Sequence, residues 1–179
     1  KTSHTQSVSQ KLFEGIDING EHYGLITYIR TDSTAISPVF VEHAFEFIKT
    51  KYGPEYVGKI KRGKKKKNTQ DAHEAIRPTS LKRTPESLKP LLKSDEYRLY
   101  KLIYERTITS LMSAKKEENT TYSFVGNSQK FNLKSRFIKF NGFTIALKDD
   151  VDESKVYSNI SLNDEFEVYS KNSEQKFTQ

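Results

Sequence analysis

Cysteine is absent from this sequence, which excludes a disulfide framework, a thiol nucleophile and a cysteine zinc site. Its absence fits a reducing compartment. Tryptophan is missing and methionine occurs once. No run approaches the ~20 apolar residues that a membrane-spanning helix needs. Hydrophobic residues make up only 34% of 179 positions, but aromatics at 12% are too many for wholesale disorder. The opening Lys-Thr-Ser-His-Thr-Gln carries no initiator methionine and lacks the apolar core of a signal peptide. The expectation is a piece cut from a longer protein, or a chain whose leader has been removed.

Charge is present but unevenly placed. Lys59, Lys61, Arg62, Lys64, Lys65, Lys66 and Lys67 lie together with no acid among them, and these seven account for the whole net charge of +7. Interrupted only by Ile60 and Gly63, the run cannot bury a face and reads as a loop. It is either a solvated loop or a contact for a polyanion, whose binding such a cluster would make salt-sensitive.

Residues 4–14 read as a helix with Val8, Leu12 and Phe13 on its apolar side, stopped at Gly15. Asn19-Gly20 is a turn signal, and residues 24–29 form a brief extended segment. Ser37-Pro38 opens a helix over 38–52, with Phe40, Ala44, Phe47 and Ile48 on one stripe and Gly53-Pro54 as its stop. Residues 71–77 could make two helical turns before Pro78. Thr84-Pro85 opens another short helix, and Ser94 caps a long one with Leu99, Leu102, Ile103 and Leu111 as its apolar side. Beyond residue 114 the texture becomes β-prone, with runs at 121–125, 131–137, 143–147 and 165–169 between turn signals. The fold class expected is α+β, a helical unit over 1–113 followed by an antiparallel β unit over 114–179. The second unit is weakly apolar and expected to need further strands to complete a core.

Two constellations could carry chemistry. In Leu25-Ile26-Thr27-Tyr28-Ile29-Arg30-Thr31-Asp32-Ser33 an extended backbone would put Tyr28 and Arg30 on one side, with Asp32 next in line. A tyrosine is a weak nucleophile at neutral pH, since its reference pKa is about 10. A neighbouring cation favours the phenolate and can grip a phosphate oxygen. Nucleophile plus fixed positive group is what attack on a phosphodiester requires. Taken alone, however, Tyr28 is one of ten tyrosines, and an apolar-flanked tyrosine is usually core. In Gln70-Asp71-Ala72-His73-Glu74-Ala75-Ile76-Arg77-Pro78, a helix would place His73 and Arg77 on one face as an anion site with a titratable donor. The alternative is a helix-end arginine beside a hydrogen-bonded surface histidine. Asp17-Ile18-Asn19-Gly20 begins like a calcium loop but meets Tyr28 where glutamate is required. Asp150-Val151-Asp152 does not extend into a metal site, and no glycine-rich phosphate cradle occurs.

Read together, Gly24-Leu25-Ile26-Thr27-Tyr28-Ile29-Arg30-Thr31-Asp32-Ser33 and His73-Glu74-Ala75-Ile76-Arg77-Pro78-Thr79 resemble the type IA DNA topoisomerases. The likeness is to the bacterial topoisomerase I branch more than to topoisomerase III. Gln10-Lys11-Leu12-Phe13-Glu14-Gly15 and the closing Glu174-Gln175-Lys176-Phe177-Thr178-Gln179 support the match, which spans essentially the whole chain. Ile29 stands where methionine is commoner, a change that keeps the apolar contact.

The resemblance implies an ATP-independent enzyme that cuts one DNA strand through a 5′-phosphotyrosine, passes the other strand, reseals, and relaxes negative supercoils. It implies Tyr28 as the nucleophile, Arg30 as the holder of the scissile phosphate, and His73 as a contact to the phosphate region. Thr27, Thr31 and Asp32 become positioning residues, and Arg77 a positioning or DNA-binding candidate. Lys64, Lys65 and Lys66 gain a DNA-facing reading. The helical unit resembles the lid, domain III, and the β unit part of the arch, domain II. Mg²⁺ is expected in the full-length enzyme, bound by a Toprim domain outside this sequence, with no metal ligands here. Half an active site is therefore expected, inactive alone. Implied partners are single-stranded or underwound DNA and the rest of the same enzyme, in the bacterial cytoplasm at the nucleoid and not at a membrane. A non-catalytic single-stranded nucleic-acid-binding module on the same scaffold is the alternative, disfavoured by the presence of Tyr28, Arg30 and His73 together.

Overall fold

The computed structural model describes residues 1–59, 73–126, 128–147, 154–157, 160–162, 164–167 and 170. The chain is α+β and falls into two units, one of residues 1–117 with 138–153 and one of 118–137 with 154–179.

In the first unit, helix α1 (Thr2–Glu14) stops at Gly15, whose φ of 133° favours glycine. A Cβ there would also collide with the ring of His22. A hairpin follows, β1 (Ile16–Ile18) antiparallel to β2 (Glu21–Tyr23). Its turn residues Asn19 and Gly20 have φ of 53° and 86°, the left-handed pair that a type I′ turn demands. The exposed His22 braces this corner, with Nδ1 2.7 Å from an Asp17 carboxylate oxygen and Nε2 3.1 Å from the Glu14 carbonyl. Those two acceptors, Asp17 foremost, hold its pKa above the ordinary value.

Helix α2 (Pro38–Tyr52) matches the sequence expectation residue for residue, with Ser37 before it and Gly53 behind. It buries Phe40, Val41, Ala44 and Ile48, while Phe47 is only partly buried against the same core. Helix α3 (Pro85–Leu88) is capped by the Thr84 hydroxyl, which accepts from the Ser87 N–H. Helix α4 (Ser94–Ser110) starts from Lys93 rather than from a Ser94 cap. There the Glu96 carboxylate reaches back to accept the Lys93 N–H at 2.9 Å and pairs with Lys11 of α1. Burial of Glu96 acts to raise its pKa, but the hydrogen bonds from Lys11 and the Lys93 N–H outweigh it and leave the group lowered.

Of the stripe expected for α4 only Leu111, at the helix end, is buried, and the face that the helix buries is otherwise a different one. Tyr100, Tyr104, Thr107 and Ile108 are inside, Leu99 and Ile103 only pack alongside, and Leu102 is exposed. Tyrosine wins because its hydroxyl finds a partner: Tyr100 donates to the Arg83 carbonyl at 2.6 Å and Tyr104 to that of Leu81 at 2.8 Å. A buried phenol so satisfied adds a large apolar ring without an unpaired polar group. Burial pushes both phenols far up from their usual pKa, so they remain donors.

Strands β3 (Lys116–Gly126) and β4 (Gln129–Phe140) pair with each other. The strand expected at 143–147 is instead a 3-10 turn, Gly142–Ala146. Gly142 is buried at φ 52°, with a Cβ position 2.5 Å from the Ala114 backbone. The Phe143 N–H then bonds to the Ser113 carbonyl, and the Thr144 N–H to that of Asn141. These two bonds, one to a distant segment and one within the turn, take donors that a sheet ladder would have used.

In the second unit Ser135 of β4 is buried. It donates to the Lys155 carbonyl and accepts from the Tyr157 N–H, each at 3.2 Å. Tyr122 donates to the Tyr157 carbonyl at 2.9 Å, and Phe124 meets Phe166 edge-on at 4.7 Å. Residues 165–167, expected as the start of a strand, form no regular element. No helix among the described residues is long and apolar enough to cross a membrane.

Candidate active site

The segment that carries Tyr28 is tied down on both sides of the first unit. Leu25 donates its N–H to the Leu12 carbonyl of α1 at 2.8 Å. On the other side an extended stretch around Pro78 runs antiparallel to it, with Ile26 opposite Pro78. The Thr27 N–H bonds to the Arg77 carbonyl at 2.9 Å and the Thr79 N–H to the Leu25 carbonyl at 3.0 Å. Pro78 lies between these two bonded pairs, where its missing N–H costs no ladder bond.

Residues 73–77 are therefore not the helix that their spacing suggested. Pro78 steers Arg77 away from helical backbone, and their donors go elsewhere. The Ala75 N–H bonds to the Ala35 carbonyl at 2.8 Å, and the Arg77 N–H to the Thr27 hydroxyl at 2.9 Å. His73 and Arg77 consequently share no helical face. What the extended path achieves is to lay the His73 ring beside the Tyr28 ring, centroids 5.0 Å apart and planes tilted by 40°. Phe13, at the end of α1, meets Tyr28 from another side, edge-on at 5.4 Å. Tyr28 stays 37% exposed despite both neighbours, and no described residue hydrogen-bonds its hydroxyl.

The other sequence candidates are distributed around this pair. Arg30 and Asp32 are exposed, and the backbone bends at Ile29 and Arg30. The strand alternation expected to align Tyr28, Arg30 and Asp32 therefore does not continue. The guanidinium of Arg30 has no hydrogen-bond or ion-pair partner among the described residues, which leaves it available to an anion. The Thr31 hydroxyl accepts the Ser33 N–H at 3.0 Å. Arg77 is engaged internally: Nε and a terminal nitrogen each lie 2.6 Å from a Glu74 carboxylate oxygen. Its other terminal nitrogen donates to the Pro78 carbonyl at 3.0 Å, and the guanidinium stacks over Phe40 at 4.2 Å. Lys64, Lys65 and Lys66 lie outside the described residues.

Sequence reasoning gave no site role to Phe13 or to the Glu74 and Phe40 that hold Arg77. The Glu74–Arg77 spacing carried a signal for one ion pair, but nothing local marks Phe13 or Phe40 as neighbours of site residues. No group of three His, Cys, Asp or Glu side chains that could hold a metal comes together among the described residues.

A family model described as DNA topoisomerase matches residues 1–179. The chain belongs to the type IA DNA topoisomerase family. Among solved structures, full-length topoisomerase I from Thermotoga maritima matches with a TM-score of 0.72 and 33% identity. That match covers 87% of this chain and 24% of the Thermotoga chain, so this chain spans about a quarter of the topoisomerase it matches. The resemblance read from the Tyr28 and His73 motifs and the α+β class both hold.

Thr27 is the fastener of the site. Its hydroxyl donates to the Ala75 carbonyl at 2.7 Å while accepting the Arg77 N–H, bridging the two motifs. Thr27→Val keeps the shape and leaves two part-buried backbone groups without that partner. Each such group costs about 1–3 kcal/mol. Chemical unfolding is expected to register a loss of about 2 kcal/mol, whereas Thr27→Ser, which retains the hydroxyl, should lose clearly less. Equal losses in both variants would show that the methyl, not the hydrogen bonds, matters.

Proposed function

We propose that this chain supplies the nucleophile half of a type IA topoisomerase active site. The observation that carries the reading is the Tyr28 phenol, part exposed and set between Phe13 and His73. It lies within a motif shared with that family. In the proposed reaction the Tyr28 oxygen attacks the phosphorus of a single-stranded DNA phosphodiester. The phenol loses its proton, the phosphorus–3′-oxygen bond breaks, and the departing oxygen takes up a proton to become a 3′-OH. The product is a 5′-phosphotyrosine that preserves the energy of the broken bond, so no ATP is consumed. After the other strand has passed, the 3′-OH attacks the phosphotyrosine and restores the DNA, with relaxation of negative supercoils as the net result.

Arg30 is the proposed clamp on the non-bridging oxygens, where negative charge builds as the phosphorus becomes five-coordinate. His73, already packed on the phenol ring, offers a ring nitrogen to the same phosphate. Thr27 holds the His73 segment to the Tyr28 segment through the Ala75 and Arg77 backbone, and Glu74 braces the Arg77 side chain. Thr31, which accepts the Ser33 N–H, and Asp32 are proposed as positioning residues. We assign residues 1–113 to the lid of such an enzyme and 114–179 to its arch. The basic run with Lys64, Lys65 and Lys66 is assigned to the DNA side. The Mg²⁺ requirement is assigned to the rest of the enzyme. DNA and the remaining domains of the parent enzyme are the proposed partners, in the cytoplasm.

A covalent-trapping assay tests the reading. A 3′-labelled single-stranded oligonucleotide and Mg²⁺ are incubated with the longer enzyme and, separately, with this chain, then resolved on a denaturing gel. A labelled protein band is expected from the longer enzyme and none from the chain alone. A band from the chain alone would overturn the half-site reading, and no band from the folded longer enzyme would overturn the catalytic one.

A further inference from the structure

We infer that Phe13 is a positioning residue for the nucleophile, holding the Tyr28 ring against His73 so that the phenol oxygen occupies one place before DNA arrives. This rests on the reading of Tyr28 as the nucleophile. Phe13 sits on the last turn of α1, beside the fully buried Leu12, and presents its ring edge-on to Tyr28 with planes 67° apart. That is a preferred aromatic geometry, because the positive ring edge meets the negative ring face. His73 packs on the same phenol at 5.0 Å. Two ring neighbours restrict rotation of the Tyr28 side chain while its hydroxyl remains free.

The backbone around Phe13 is built for this contact. The Leu12 carbonyl accepts the Leu25 N–H, so α1 is bonded to the segment leading to Tyr28 three residues later. Gly24 permits the approach: a Cβ there would sit 2.8 Å from the Phe13 carbonyl oxygen. Gly15 ends the helix two residues beyond Phe13, and His22 holds the Glu14 carbonyl. Phe13 is thus fixed by backbone bonds at both flanks, and its ring, with that of His73, walls a tyrosine that is still 37% exposed. A nucleophile confined in this way forgoes the search over rotamers that precedes attack, the usual benefit of orientation in catalysis.

The test is single-turnover adduct formation by the longer enzyme on labelled single-stranded DNA, measured across DNA concentration for Phe13→Leu, Phe13→Tyr and Tyr28→Phe. Phe13→Leu retains apolar bulk but removes the ring. It should lower the maximal cleavage rate about tenfold or more and leave the DNA concentration for half-maximal rate unchanged. Phe13→Tyr keeps the ring and should cleave at close to the parent rate. A purely structural role would instead lower the melting temperature of Phe13→Leu with the maximal rate intact, and that result overturns the inference. So does an equal rate loss in Phe13→Tyr. Adduct surviving in Tyr28→Phe would sink the nucleophile reading itself. A null Tyr28→Phe with a normal Phe13→Leu sinks only the role of Phe13.

Discussion

Tyr28→Phe, introduced into the longer enzyme that carries this sequence, is expected to abolish strand cleavage while leaving DNA affinity nearly unchanged. The substitution removes one oxygen and nothing else. The ring contacts with Phe13 and His73 involve carbon faces and edges that phenylalanine reproduces, so the local packing survives. No hydrogen bond from the Tyr28 hydroxyl to a described residue is lost, which keeps the stability cost small. For binding, a single hydrogen bond to the DNA contributes ~0.5–1.5 kcal/mol. Tenfold in affinity corresponds to about 1.4 kcal/mol, so the dissociation constant should move by no more than about that factor. Covalent chemistry has no such fallback, because without the oxygen there is no atom to form the phosphoester. The measurement pairs the trapping gel with a salt-matched DNA-binding titration. Cleavage at the parental rate would remove Tyr28 from the mechanism, and a large loss of affinity would mean that the hydroxyl serves binding instead.

How far the molecule was legible in advance follows from where each signal resides. Helix α2 was readable to the residue because every determinant is local: Ser37 and Pro38 at its start, an apolar stripe, Gly53 and Pro54 at its end. The buried face of α4 was not, since a tyrosine enters a core only if something accepts its hydroxyl proton. The acceptors of Tyr100 and Tyr104 are carbonyls on a distant loop, at Arg83 and Leu81. The helical spacing of His73 and Arg77 misled for the same reason. The donors of that segment are claimed by Thr27 and Ala35, partners that no periodicity within 71–77 can reveal. Phe143 follows a buried glycine at φ 52°, and this turn overrides the β-prone composition of 143–147. For the site, residue chemistry suggested an anion-handling tyrosine and arginine, but only the family resemblance joined the Tyr28 motif to the His73 motif. Their ring contact is a long-range fact, produced by the antiparallel bond pair on either side of Pro78.

The remaining large effect concerns Arg30. Its guanidinium is exposed and has no protein partner among the described residues, in contrast to Arg77, whose nitrogens are taken by Glu74 and Pro78. The contrast separates the two arginines of the motifs by task, since an arginine already saturated with internal acceptors holds structure and an unsaturated one can meet a phosphate. If Arg30 clamps the scissile phosphate, its donors act where charge develops during attack. Removing one such donor typically lowers turnover by about 10²–10³, or ~2.7–4 kcal/mol. Arg30→Ala should therefore slow single-turnover adduct formation by about that factor with little change in thermal stability, because no hydrogen bond or ion pair to a described residue is lost. Arg30→Lys keeps the charge but not the planar fork, and should recover only part of the rate. Arg77→Ala makes the opposite prediction in kind. It strips an ion pair and a stacked cation from the underside of the His73 segment, so its main effect should be on melting temperature. Adduct kinetics and melting curves on the three variants decide the matter: an Arg30→Ala enzyme that cleaves at the parental rate would leave the phosphate without a clamp in this chain.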